Sequence, residues 1–178
     1  VGARDDDSSQ GSAYIFRSSD GGATWSQNAK LTASDGASSA RFGCSVSIHN
    51  GTALIGAMLS DSYKGSAYIF RSSDGGVTWN QTAKLTQSNR VSGDEFGSSV
   101  SIYSYTALIG TPRGDSLRGS AYIFQSNDGG VTWPTSETSK LTASDRGDSA
   151  AFGVSVSIFN HTILIGASLE DSTNRDSG

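Results

Sequence analysis

Gly11 to Trp25 reads GSAYIFRSSDGGATW, and the chain repeats it as GSAYIFRSSDGGVTW at Gly65 to Trp79 and as GSAYIFQSNDGGVTW at Gly119 to Trp133. The step from Gly11 to Gly65, and again from Gly65 to Gly119, is 54 residues. A second block follows each copy: AKLTASDGASSARFGCSVSIHNGTALIGA, AKLTQSNRVSGDEFGSSVSIYSYTALIGT and SKLTASDRGDSAAFGVSVSIFNHTILIGA. Two extra residues between Trp133 and Leu141 place the later landmarks of the third copy 56 after those of the second. A period of this size marks a propeller, solenoid or array, in which each unit buries its apolar face against its neighbours.

Within one repeat the pattern is that of strands. Ser12 to Arg17 alternates polar and apolar residues with aromatic content, as a half-buried strand does. Ser18 to Ala23 is a Gly- and Asp-rich tight turn, and Thr24 to Leu31 returns as a more polar outer strand. Thr32 to Arg41 is a polar loop. Phe42-Gly43 then opens a strand through His49, and Thr52 to Ala57 (TALIGA) is almost continuously apolar, which predicts a central strand covered on both faces. Asp61 to Lys64 leads into the next GSAYIF.

The expectation is therefore an all-β fold of β-propeller blades, each of four antiparallel strands, with about three blades' worth in the chain. Val1 to Gln10 aligns with Ile55 to Lys64, so the array occupies 1–178 as one unit, with repeats 11–64, 65–118 and 119–174 and the end of a preceding repeat at 1–10. The blades are circularly offset: the opening one, with strands from Ser12 and Trp25, lacks its inner pair, and the closing one lacks its outer pair. Unpaired strand edges are adhesive, so head-to-tail self-association into a ring or fibre, or continuation into further repeats, is expected.

Composition narrows the function. Net charge is −4 with no basic patch, which excludes a nucleic-acid partner, and no apolar run reaches the roughly 20 residues of a membrane-spanning helix, so membrane insertion is not expected. The chain opens on Val1 rather than Met, as a mature product or an excised piece would. Cys44, the single cysteine, has no internal disulfide partner and stands where the other copies carry Ser98 and Val154, as a small packed residue. Asn50, Asn80 and Asn160 each begin an N-x-T sequon at a strand end, which predicts N-linked glycans and an extracellular or cell-surface location.

Phe42-Gly43 with Ile55-Gly56-Ala57, Phe96-Gly97 with Ile109-Gly110-Thr111, and Phe152-Gly153 with Ile165-Gly166-Ala167 resemble the FG-GAP family, the blades of integrin alpha-subunit heads and of many bacterial and algal surface proteins. The final Pro of GAP is replaced by Met58 and Ser168, while Pro112 follows Thr111. The resemblance implies a propeller fold, with calcium bound in the loop before FG in integrin-type blades. Here those loops offer Asp35, Asp94, Asp145 and Asp148, one or two acids each, against the six to eight oxygens that calcium takes. Calcium is thus the only cofactor candidate, and none is expected.

Ser18 to Trp25, Ser72 to Trp79 and Ser126 to Trp133 fit S-x-D-x-G-x-T-W and resemble the Asp boxes of sialidases and other propellers, where they are structural. Asp20, Asp74 and Asp128 are suited to bonding backbone N–H groups across the turn, and Trp25, Trp79 and Trp133 to covering it. No arginine cluster, tyrosine nucleophile and acid set of a sialidase stands out, and His49 and His161 are isolated, so no catalytic residue is assigned. Asp5-Asp6-Asp7 reads as a solvated turn. Arg113-Gly114-Asp115 and Arg146-Gly147-Asp148 spell an adhesion tripeptide in loops, at positions that the other repeats do not keep.

The reading is a non-enzymatic extracellular structural or adhesion module that assembles by completing blades. A carbohydrate-binding propeller with Tyr63, Tyr103 and Tyr105 as rim groups, or one meeting a cell-surface protein, is the alternative, and a sialidase-like glycoside hydrolase comes third.

Overall fold

A computed structural model of the chain describes residues 1–145 and 147–168. The first sheet is antiparallel in the order β1 (Gly2–Ala3), β2 (Ser12–Arg17), β3 (Ser26–Leu31). The second is a complete meander of β4 (Phe42–His49), β5 (Thr52–Ala57), β6 (Ser66–Arg71) and β7 (Asn80–Leu85). A third repeats it with β8 (Ser99–Tyr103), β9 (Thr106–Thr111), β10 (Ser120–Gln125) and β11 (Ser139–Leu141). β12 (Ser155–Phe159) and β13 (Thr162–Gly166) form a two-stranded sheet among the described residues. The nearly all-β architecture of partial propeller blades is thus present, with two whole blades at its centre. The opening sheet departs from the sequence reading: Gly2 and Ala3 pair with Ala13 and Ser12, adding a third strand.

TALIGA is buried at all six positions in β5, as its uninterrupted apolar character predicts. Its register sets Leu54 opposite Ile69 and Ile55 opposite Tyr68. The main apolar clusters lie between sheets. Ala13 and Leu31 of the first sheet meet Phe42, Ile55, Tyr68 and Phe70 of the second. Leu54, Ile69 and Leu85 of the second meet Phe96, Ile102, Tyr122 and Phe124 of the third. The Phe of each FG is the wedge: Phe42 packs edge-on against Tyr68 and Phe70 at 5.4 and 5.9 Å between ring centroids, and Phe96 lies 5.7 and 6.1 Å from Tyr122 and Phe124. Each such side chain contributes roughly 1.5–3 kcal/mol by leaving water.

The innermost strands approach at backbone distance. Ser45 Oγ donates to the carbonyl of Gly97 at 2.7 Å, and Ser99 Oγ donates to that of Gly153 at 2.7 Å. One pleat further on, the N–H of Ile102 donates to Ser47 Oγ and that of Ile158 to Ser101 Oγ, both at 3.1 Å. Gly56 and Gly110 permit this closeness, because a Cβ on either would overlap the same carbonyl oxygens. The small residues of S-V-S-I and I-G-A are therefore spacing elements.

A bulge in β3, between the pairs Ile15–Ala29 and Phe16–Gln27, sets Asn28 apart from the ladder. Its amide Nδ2 reaches the second sheet and donates to the carbonyls of Gly76 and Val77, each at 2.9 Å. Within the second and third sheets the connections from β5 to β6 and from β9 to β10 are left-handed turns. Asp61 and Ser62 take φ of 50° and 60°, and Asp115 and Ser116 take 52° and 61°. Consecutive non-glycine residues in this region are strained, so side chains must hold the turn.

Candidate functional site

Each left-handed turn is gripped by a lysine from the outer strand of the same sheet. Lys84 Nζ lies 2.6 Å from Asp35 and 2.9 Å from Asp61, and stands 5.6 Å from the centroid of the Tyr68 ring. Lys140 repeats the arrangement with Asp115 at 2.7 Å and Tyr122 at 5.7 Å, and Lys30 does so with Asp6 at 2.9 Å, Asp7 at 3.2 Å and Tyr14 at 5.8 Å. Partial burial disfavours the charge of Asp61, but hydrogen bonds from Arg90 and Lys84 outweigh it and hold its pKa down at about 2. Burial pushes the Tyr68 hydroxyl up to about 12.

This knot places the first adhesion tripeptide. Asp115 accepts from Lys140 and, at 3.0 Å, from Ser120 Oγ, while Arg113 lies 3.3 Å from Glu95. Contrary to the sequence reading, its aspartate is kept by the other repeats, as Asp61 and Asp7, four residues before the glycine that opens each SAYIF strand. The acid of the second tripeptide, Asp148, accepts from Arg118 Nε at 2.9 Å and Nη2 at 2.7 Å, and Gly147 precedes it in the loop; Arg146 lies outside the described residues. Asp5-Asp6-Asp7 is a bonded turn, with Asp6 accepting from Tyr14 Oη at 2.9 Å.

The acids before each FG do not converge. Asp35 is engaged by Lys84, and Asp148 by Arg118. Asp94 is buried and accepts from Gln87 Nε2 and from the N–H of Val91 at 3.0 Å, while Asp145 sits in an exposed turn. Among the described residues no group of three or more His, Cys, Asp or Glu is arranged to hold a metal.

The three Asp turns share one geometry. Asp74 accepts from Ser72 Oγ at 2.8 Å, Val77 N–H at 3.0 Å, Thr78 N–H at 2.9 Å and Thr78 Oγ1 at 2.6 Å. Asp20 and Asp128 make the corresponding bonds to Ser18 and Thr24, and to Ser126, Val131 and Thr132. Bonds from the threonine and serine hold all three carboxyls far below the usual range. Trp25 and Trp79 close the turn by donating Nε1–H to the carbonyls of Gly22 and Gly76 at 3.1 Å, and Trp133 packs against the cluster of the two central sheets.

Asn50, Asn80 and Asn160 are exposed; Asn50 and Asn160 occupy the hairpins after β4 and β12, and Asn80 begins β7. At those hairpins His49 lies 4.6 Å from Tyr103, whose ring is 5.1 Å from Phe159, a ladder of rings running across three sheets. Tyr63 and Tyr105 are exposed apart from it. A polar cleft of about 570 Å³ separates the Asn89–Asp94 loop from the Arg113–Leu117 turn, at the level where Asp35 and Lys84 close the preceding junction.

Repeat positions buried in the centre are open on the outer faces. Val46 and Ile48 are 42% and 58% exposed, whereas their counterparts Val100 and Ile102 are 8% and 4%. On the opposite side Leu164 is 73% exposed, against 0% for Leu54 and Leu108. Beside Val46 and Ile48 an apolar groove of about 220 Å³ is lined by Ala13, Ile15, Phe16 and Val1. The sequence read TALIGA as covered on both faces, and nothing in its periodicity distinguishes the outer sheets from the central ones.

No helix of the described chain is long and apolar enough to cross a membrane. No curated protein matches the sequence. The FG-GAP repeat model matches three times, at residues 25–70, 79–124 and 135–178, most of the chain. Such repeats occur in extracellular or cell-surface proteins of adhesion type and are typically non-enzymatic. With the wedge phenylalanines and the spacing glycines both accounted for by the stacked sheets, this chain belongs to the FG-GAP repeat family.

Proposed function

We propose that the protein is a non-enzymatic extracellular structural module whose blades stack in series and whose outer faces join further copies head to tail, with glycans at Asn50, Asn80 and Asn160 on its surface. The observation that carries this reading is the twice-made inter-sheet contact, in which Ser45 and Ser47 on one side and Ser99 and Ser101 on the other meet the next sheet in the same way. Side chains repeated across the blades are spent on holding a turn, spacing a strand or wedging a sheet, which is what a scaffold needs. Light scattering of the full chain over a concentration series tests the assembly. Mass rising with concentration is expected, and a fixed single-chain mass at every concentration would refute it. Secretion from a glycosylating host, followed by enzymatic release of N-glycans, tests the surface sugars through the mass lost.

A carbohydrate-binding role is the second reading, favoured by the His49–Tyr103–Phe159 ring ladder and the polar cleft beside Arg113. Sugars stack on exposed ring faces, and glycan-array binding lost in Phe159→Ala would support it over the scaffold role alone.

A further inference from the structure

We infer that the polar cleft between the Asn89–Asp94 loop and the Arg113–Leu117 turn binds a sugar that carries a carboxylate, seated beside Lys140 as Asp35 is seated beside Lys84. This rests on the carbohydrate-binding reading above and gives it a site and a ligand class.

The lysines of the three left-handed turns supply the template. Lys30 faces two acids, Asp6 at 2.9 Å and Asp7 at 3.2 Å, and Lys84 faces Asp35 at 2.6 Å and Asp61 at 2.9 Å. Among the described residues Lys140 faces one, Asp115 at 2.7 Å, and its side chain is 34% exposed. The difference lies in one position of the repeat, since Asn89 follows Asp35 by the step of 54. Asn89 lines the cleft, with its backbone carbonyl tied back by Gln87 Nε2 at 3.1 Å.

Burial works against the charge of Asp35, but Lys84 and the Tyr68 hydroxyl outweigh it and hold that carboxyl below its ordinary range. The same two groups recur at the next junction. Lys140 Nζ lies 5.7 Å from the centroid of Tyr122, as Lys84 Nζ lies 5.6 Å from that of Tyr68, and Tyr122 lines the cleft. The groups that hold a carboxylate are thus repeated, and the carboxylate is not.

Charge around the cleft agrees. Arg113 stands where the preceding turn has Leu59 and adds a cation to the wall. Its Nη1 lies 3.3 Å from Glu95, while the side chain is 61% exposed and has further N–H groups to donate. The other acids nearby are engaged: Asp94 by Gln87 and the Val91 N–H, Asp115 by Lys140 and Ser120, and Glu137 by the N–H and Oγ of Ser88.

The remaining walls fit a sugar better than a bare anion. The volume of about 570 Å³ lies within the roughly 300–1,000 Å³ of small-molecule sites and exceeds what a carboxylate fills. Ser92 Oγ donates to the carbonyl of Ser62 at 2.9 Å and so is left to accept from a ring hydroxyl, and Ser116 is exposed beside it. Val91 and Leu117, 55% and 50% exposed, border the cleft with aliphatic surface for the C–H face of a pyranose. A uronic acid combines the carboxylate, the hydroxyls and the apolar face.

Calorimetric titration of the full chain with digalacturonate and with its dimethyl ester tests the site. The acid should bind, and the ester should bind about tenfold more weakly for want of the charged contact. Asn89→Asp offers Lys140 a carboxylate from the chain itself, and should weaken digalacturonate about tenfold with strand content unchanged by circular dichroism, whereas Asn89→Ser should stay within about threefold of the wild type. Equal binding of acid and ester, undiminished binding by Asn89→Asp, or no binding of digalacturonate at millimolar concentration would overturn the site. A blocked Gly-Asp-Gly peptide that binds as tightly as digalacturonate would overturn the sugar assignment. Neutral glycans bound equally by the wild type and Asn89→Asp, with digalacturonate unbound, would overturn this cleft and leave carbohydrate binding standing at the ring ladder.

Discussion

Gly56 lies so close to the carbonyl of Gly97 that the two sheets meet there at backbone distance, with Ser45 Oγ bonded to the same oxygen. The pair sets the spacing of the central blades.

Gly56→Ala should consequently cost roughly 3 kcal/mol or more, because the obstructing atom is backbone and Gly56 and Gly97 are both buried. Gly166→Ala is the control: a Cβ there meets chiefly the Ser155 side chain, which can rotate away, and the loss should stay under about 1 kcal/mol. Denaturant midpoints of the two variants measure the difference.

Gln87 and Asp94 form a buried pair where the other repeats carry Ala33 with Ala40 and Ala143 with Ala150. Asp94→Ala alone removes the carboxylate that accepts from Gln87 Nε2 and from the Val91 N–H, leaving the amide only its bond to the Asn89 carbonyl on that side, and should destabilise by about 1–3 kcal/mol. Replacing both by alanine should recover at least half of that loss, since the neighbouring repeats are built that way. A double-mutant cycle read by thermal unfolding checks this.

Asp74→Ala removes four hydrogen bonds from one turn and should lower the melting temperature by a few degrees. Asp74→Asn, which keeps one oxygen, should lower it less. Loss of Trp79 fluorescence shift ahead of the global transition would locate the damage at that turn.

Asp61 titrates at about 2 in the folded chain, below the ordinary carboxylate value. Its contribution is therefore fully present above about pH 4 and is lost as pH falls through about 2. Because the side chain is one-third exposed, solvent screening limits that contribution to about 1 kcal/mol. Urea titrations at pH 7, 4 and 2 should show a steeper acid loss in the wild type than in Asp61→Asn.

The repeat made the blades legible. TALIGA announced its burial through an unbroken apolar run, FG fixed the wedge positions, and the serine-to-tryptophan stretch disclosed its own turn because all of its bonds are local. What depends on contacts distant in sequence was hidden. The Asp61–Lys84 knot joins residues 23 apart through a left-handed turn that no propensity favours, and the RGD spelling around Asp115 drew attention from the periodic acid to the tripeptide. Ser34 donating its N–H to Gln81, like Ser88 to Glu137, spans 47 and 49 residues and carries no pattern within either segment. Nor does a periodic core reveal which of its members lie on an outer sheet, as Leu164 does.

The spacing that Gly56 and Gly110 impose is the same at both central junctions, and among the described residues each apolar cluster joins adjacent sheets. Tandem duplication of a single 54-residue segment would lengthen the object without requiring any side chain to adapt. Its length is thereby open to gene recombination, and a lesion in one unit is felt by its immediate neighbours and no further.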